Sequence, residues 1–128
     1  MKIKTRILSG LAAVTLALGM TMVGTGSANA ASGSIINCFD YGGVTRGCSY
    51  FDPNSMDFWA CDYFADNPPR YTKGRVSVDG VFQGEWDIWV DNTCSPTAYI
   101  PEAHPGALVC IRTGIEGLGW KQPSCRTI

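Results

Sequence analysis

Ten Lys and Arg residues almost balance eleven Asp and Glu residues along 128 positions, for a formal net charge of −1 at pH 7. Three of the bases, Lys2, Lys4 and Arg6, precede an uncharged apolar stretch, so the remainder of the chain is acidic, which argues against nucleic acid or an anionic membrane as partner. What remains beyond that stretch is long enough for one modest core and too short for two.

The basic start, the apolar run from Ile7 to Val23 and the small-x-small triplet Ala28-Asn29-Ala30 have the order of a secretory signal peptide. Residues 1–30 are therefore expected to be removed after Ala30, leaving residues 31–128 as one secreted, extracellular domain. No cysteine stands beside the cut for lipidation, and no later apolar run has spanning length, so the product is expected to be soluble and free of the membrane.

Residues 31–34 are small and polar, and order is expected to begin near Ile35. Cys38 and Cys48 flank Tyr41-Gly42-Gly43, a turn between two hairpin arms. From Cys38 to Pro69 the acids Asp40, Asp52, Asp57, Asp62 and Asp66 face only Arg46, and the same stretch is rich in aromatics, Trp59 among them. Asn54 to Ala65 fits either a short helix capped by Asn54 or Ser55 or a strand. The acidic turn Asp52 to Asp57 lacks the glycine and distal glutamate of an EF-hand loop.

Gly74–Asp79 and Val81–Val90 form the clearest pair of strands, joined through Asp79-Gly80. Along the second arm Trp86, Ile88 and Val90 are expected to face the core, with Glu85, Asp87 and Trp89 on the opposite face. Glu85 and Asp87, two apart on one strand, would project their carboxyls about 7 Å from each other, a spacing that suits acid and base roles in glycoside hydrolysis. The competing reading is a solvated strand face. Residues Ser95 to Gly106 read as a long loop stiffened by Pro96, Pro101 and Pro105, presenting Tyr99, Ile100 and His104 as a contact surface. Leu108 to Arg112 reads as a strand buried on both sides, with Gln122 to Thr127 as its partner.

Six cysteines in a short exported domain imply three disulfides, and a bond typically contributes about 2–4 kcal/mol. The turns between them favour Cys38 with Cys48 and Cys110 with Cys125, which leaves Cys61 for Cys94. With one histidine, His104, and no Cys-x-x-Cys pair, no zinc site is expected, and no cofactor is implied.

The fold expected is an all-β, disulfide-stapled antiparallel sandwich or small barrel with room for one short helix. Its leading function is that of a non-enzymatic binding module, an enzyme inhibitor or a protein or glycan recognition domain, acting as a monomer through Trp59, Trp89 and the Tyr99 loop. The alternatives are a small extracellular hydrolase of polysaccharide or cell wall using Glu85 and Asp87, and a secreted toxin or structural surface protein.

Overall fold

Short runs of β-branched and aromatic residues separated by tight turns become strands and nothing else: the computed structural model describes residues 33–66 and 68–128, and no helix forms among them. The expected signal peptide and cleavage site lie outside the described residues. The strands are β1 (Ile35–Tyr41), β2 (Val44–Asp52), β3 (Asp57–Asp62), β4 (Thr72–Val78), β5 (Val81–Ile88), β6 (Thr93–Cys94), β7 (Ala98–Tyr99), β8 (Leu108–Ile115), β9 (Gly119–Trp120) and β10 (Ser124–Thr127). The first sheet runs β1-β2-β3-β6 with β7 also beside β3, and the second runs β10-β8-β4-β5 with β9 also beside β8. Every pair is antiparallel, and the two sheets make a β-sandwich.

Turn chemistry sets the registers. Gly42 and Gly43 adopt φ of 63° and 75°, and Asp79 and Gly80 adopt 49° and 81°, the two consecutive left-handed residues of a two-residue hairpin turn whose twist matches its strands. Between β2 and β3 the Asp52 carboxylate accepts from the Asn54 amide at 2.9 Å and the Asp52 carbonyl from the Met56 amide at 2.8 Å, which reverses the chain directly into β3. The stretch that could have begun a helix at Asn54 is thereby a turn and a strand, with Phe58, Ala60 and Asp62 on the inner side at period two.

Phe51, Phe58 and Ala60 of the first sheet pack against Val76, Val78, Ile88, Val109 and Ile111 of the second. Trp86 completes this layer, its ring 4.7 Å from that of Phe58. Two expectations need correction. Strand β5 ends at Ile88, so Val90 lies in the following turn and is exposed rather than part of the core. Strand β8 is buried on one side only: Val109, Ile111, Thr113 and Ile115 face inward, while Cys110 and Arg112 are half-buried on the outer face.

The disulfides are Cys38–Cys48, Cys61–Cys94 and Cys110–Cys125, the expected set. Each joins residues directly opposite each other on neighbouring strands. None crosses from one sheet to the other.

The sheets are instead joined by packing and by a buried polar bridge. Near Pro123 the pairing along β8 is interrupted between β9 and β10, which leaves the Thr113 amide without a strand partner. Asn37 from β1 supplies one. Its Oδ1 accepts from Thr113 N at 2.7 Å, and its Nδ2 donates to the Gln122 carbonyl at 2.8 Å and Ser124 Oγ at 2.9 Å. The Thr113 hydroxyl also reaches Ser49 Oγ at 2.8 Å. A side chain of one sheet thus fills a gap in the hydrogen bonding of the other, as a buried amide requires.

Candidate recognition face

The residues singled out from the sequence do not converge. Ile100 is 4% exposed and belongs to the core, its amide donating to the Met56 carbonyl at 2.9 Å, so it is withdrawn as a contact residue. Ala98 and Tyr99 extend the first sheet by pairing with Phe58 and Asp57, and Ala103 and Ala107 are buried. Much of the proline-stiffened loop is therefore an edge strand and a plug for the core rather than a free presenting loop. His104 is exposed, with Nε2 3.9 Å from the Asp79 carboxylate. Trp59 and Tyr99 belong to the first sheet's outer face, and Trp89 lies at the end of β5, beside the second.

On the first sheet's outer face the aromatics satisfy one another. Trp59 stacks on Tyr50 with centroids 5.2 Å apart and planes 11° from parallel, and the Tyr50 and Tyr63 hydroxyls are 2.7 Å apart. Burial, together with that hydroxyl contact, pushes the Tyr50 phenol up to about 12.

The second sheet's outer face is different. Arg75 on β4 stands opposite Arg112 on β8 and opposite Glu85 on β5. Trp120, on β9, lies over Gly114, where a side-chain β-carbon would come within 2.8 Å of its ring. The Arg75 guanidinium is 4.1 Å from the Trp120 ring centre, and that of Arg112 is 5.2 Å from it, both within cation–π range. Phe82 stands at the far edge, 5.8 Å from Arg75 and 60% exposed. Arg75, Ser77, Phe82, Cys110, Arg112 and Pro123 line a cavity of about 320 Å³, near the lower end of the roughly 300–1,000 Å³ of small-molecule sites.

A bulge places Phe82 here. Between Val76 and Ser77 the register slips by one, so Gly84 faces Val76 while Phe82 faces Ser77. The extra residue, Gln83, reverses the alternation. Without it Phe82 would share the inner face of Trp86 and Ile88.

Charge on this face is arranged in pairs. Arg75 Nε donates to Glu85 at 2.5 Å, and Lys73 Nζ lies 3.7 Å from the other Glu85 oxygen. Partial burial alone would raise the Glu85 carboxyl, but the hydrogen bond and charge of Arg75, with Lys73, hold it below its ordinary value. Asp87 is raised, by desolvation and then by the neighbouring Glu85 charge. Glu85 and Asp87 lie near enough on the outer face for each to act on the other's ionisation. Beyond Lys73, Trp89 stacks on Tyr71 with centroids 4.0 Å apart while remaining 69% exposed, a flat aromatic step at the end of the face.

The residues that sequence reasoning missed are Arg75, Phe82, Arg112 and Trp120. The period-two pattern Val109, Ile111, Thr113, Ile115 was the available signal for Arg112, since it leaves Cys110, Arg112 and Gly114 pointing outward. For the bulge the available signal was Gly84, an isolated glycine inside a strand pattern. Among the described residues no three His, Cys, Asp or Glu side chains are grouped to hold a metal ion. No known family, curated protein or solved structure matches this chain.

Proposed function

We propose that this chain is a secreted, non-enzymatic recognition module that binds a glycan on the outer face of its second sheet. One observation carries the reading: a cavity lined by Phe82, Arg75 and Arg112, with Trp120 packed beside it against both guanidinium groups, on a β-sheet whose strands fix the side chains in register. Sugar rings have apolar faces that stack on aromatic side chains, and hydroxyls that accept hydrogen bonds from guanidinium groups. Trp89 on Tyr71 extends the aromatic surface along the same sheet. Three disulfides fit the oxidising compartment that export would provide.

The environment of Glu85 and Asp87 favours this reading over hydrolysis. Acid–base pairs in glycosidases stand about 5–5.5 or 6.5–9.5 Å apart, leaving room for the scissile bond or a water. Here Glu85 is instead engaged by Arg75 at 2.5 Å and Lys73 at 3.7 Å, which hold it below its ordinary value and away from the raised carboxyl that a general acid needs. Their role is then to neutralise Lys73 and Arg75 and orient Arg75 over Trp120.

The test is a binding screen of the oxidised domain against soluble and insoluble polysaccharides, repeated with Trp120→Ala and Phe82→Ala. At least one polymer should be bound, and each variant should lose roughly tenfold or more in affinity, about 1.4 kcal/mol. Binding that survives both substitutions, or product release from a bound polymer, would overturn the assignment.

A further inference from the structure

The charge pairing on the outer face of the second sheet leaves one cation over. Lys73, Arg75 and Arg112 project from the outer face against Glu85 and Asp87, and both Lys73 and Arg75 are engaged by Glu85. Arg112 makes no ion pair among the described residues. Its Nε donates to the Lys121 carbonyl at 3.2 Å, which fixes the plane of the guanidinium beside Trp120 and leaves its terminal amino groups for a ligand. This group lines the cavity itself.

Resting on the recognition reading above, we infer that the ligand is an acidic saccharide whose uronate carboxylate is held by Arg112. A planar, pre-oriented guanidinium presents a fork that matches a carboxylate with two parallel hydrogen bonds. One unpaired positive charge in the cavity matches one negative charge per sugar. Phe82 lines the cavity with that charge and Trp120 packs against the guanidinium from beside it, so the ring that carries the carboxylate can stack on Phe82 while its acid group reaches the fork. Arg75, whose Nε is committed to Glu85, adds donors without adding net charge. The acidic remainder of the domain makes this face the favoured approach for an anion.

The experiment is calorimetric titration of the full oxidised domain with a panel of oligouronates, their fully methyl-esterified forms and sulfated oligosaccharides of equal length. The wild type should bind a uronate at least tenfold more tightly than its neutral ester, and more tightly than the sulfated sugar. Arg112→Gln should abolish that preference, bringing the affinity for the uronate down to that for its ester. Arg112→Lys, which keeps the charge and loses the fork, should retain only part of it. Thermal melts of both variants report whether the domain is intact. Equal binding of acid and ester by the wild type would overturn the uronate assignment and leave glycan recognition standing. A preference for the sulfated sugar would overturn the carboxylate, and Arg112→Lys behaving as wild type would overturn the fork. Failure of every member of the uronate, ester and sulfate panel overturns the assignment outright, whereas failure against the wider polysaccharide screen overturns the recognition reading with it.

Discussion

Cys48 and Cys61 face each other across β2 and β3, yet neither bonds to the other: each is oxidised to the cysteine on its far side. Cys38, Cys48, Cys61 and Cys94 therefore form one row across four strands, closed as two bonds around an unbonded centre. The bonds differ in the chain they close, with sequence separations of 10 and 33. In the chain-entropy account the longer loop contributes about 1 kcal/mol more. It also ties down β6, which is only two residues long. The double variant Cys61→Ala/Cys94→Ala should lose more stability in urea than Cys38→Ala/Cys48→Ala by about that amount, and equal losses would count against it.

Because no disulfide links the sheets, the Asn37 bridge has an outsized role in joining them. Replacing Asn37 by Ala strands the Thr113 amide and removes both donors to the β10 side of the gap. A buried polar group left unpaired costs about 1–3 kcal/mol, so the loss on Asn37→Ala should be about 2 kcal/mol or more. Equilibrium unfolding gives the number, and hydrogen exchange at Thr113 should accelerate in parallel. A change within about 0.5 kcal/mol, the size of an ordinary surface substitution, would remove the bridge from the account.

Asp62 lies between the sheets, 1% exposed. Burial raises its carboxyl above the ordinary range, against the lowering effect of bonds from the Phe64 amide at 3.2 Å and the Thr72 hydroxyl at 3.1 Å, with Asp91 and Asp66 raising it further. Between the unfolded value, about 4, and the raised folded value, the native state binds more protons than the unfolded chain. The contribution of this group to stability therefore falls as pH rises through that window. Asp62→Asn keeps an oxygen for the amide and an NH2 for the hydroxyl, and should flatten the decline and equal or exceed the wild-type melting temperature at pH 7. A lower melting temperature at pH 7 would mean that the ionised carboxylate is stabilising after all.

Gly114 is a positioning residue for the recognition face. Its missing side chain is the space in which the Trp120 ring lies, with Trp120 Cδ2 and Cε3 only 2.8 Å from where a β-carbon would stand. Gly114→Ala should lift the indole from Arg75 and Arg112 and lower glycan affinity about tenfold, or 1.4 kcal/mol, without altering a contact residue. Tryptophan fluorescence should shift in the same variant. Unchanged affinity with a shifted spectrum would separate Trp120 from binding.

Much of the sandwich was legible because it rests on local rules. Asp79-Gly80 specified its hairpin, spacing around glycine turns specified Cys38–Cys48 and Cys110–Cys125, and elimination gave Cys61–Cys94. The site was less legible because non-local relations build it. The bulge at Gln83 turns Phe82 outward, Trp120 reaches the face through a two-residue strand, and Asn37 substitutes for a strand across the sandwich. Ile100 shows the converse: its proline-rich surroundings read as loop, but Met56 and the core claim it.

The most direct test of the account is a nitrogen-15 NMR titration of the oxidised domain with a polysaccharide fragment that it binds, following the four indole N–H signals. Trp120 should move most and Trp89 in step, together with the amides of β4, β5 and β8, while Trp59 and the β2–β3 face stay still. Shifts centred on Trp59 and Tyr99, with Trp120 unmoved, would put recognition on the opposite sheet and contradict the central claim.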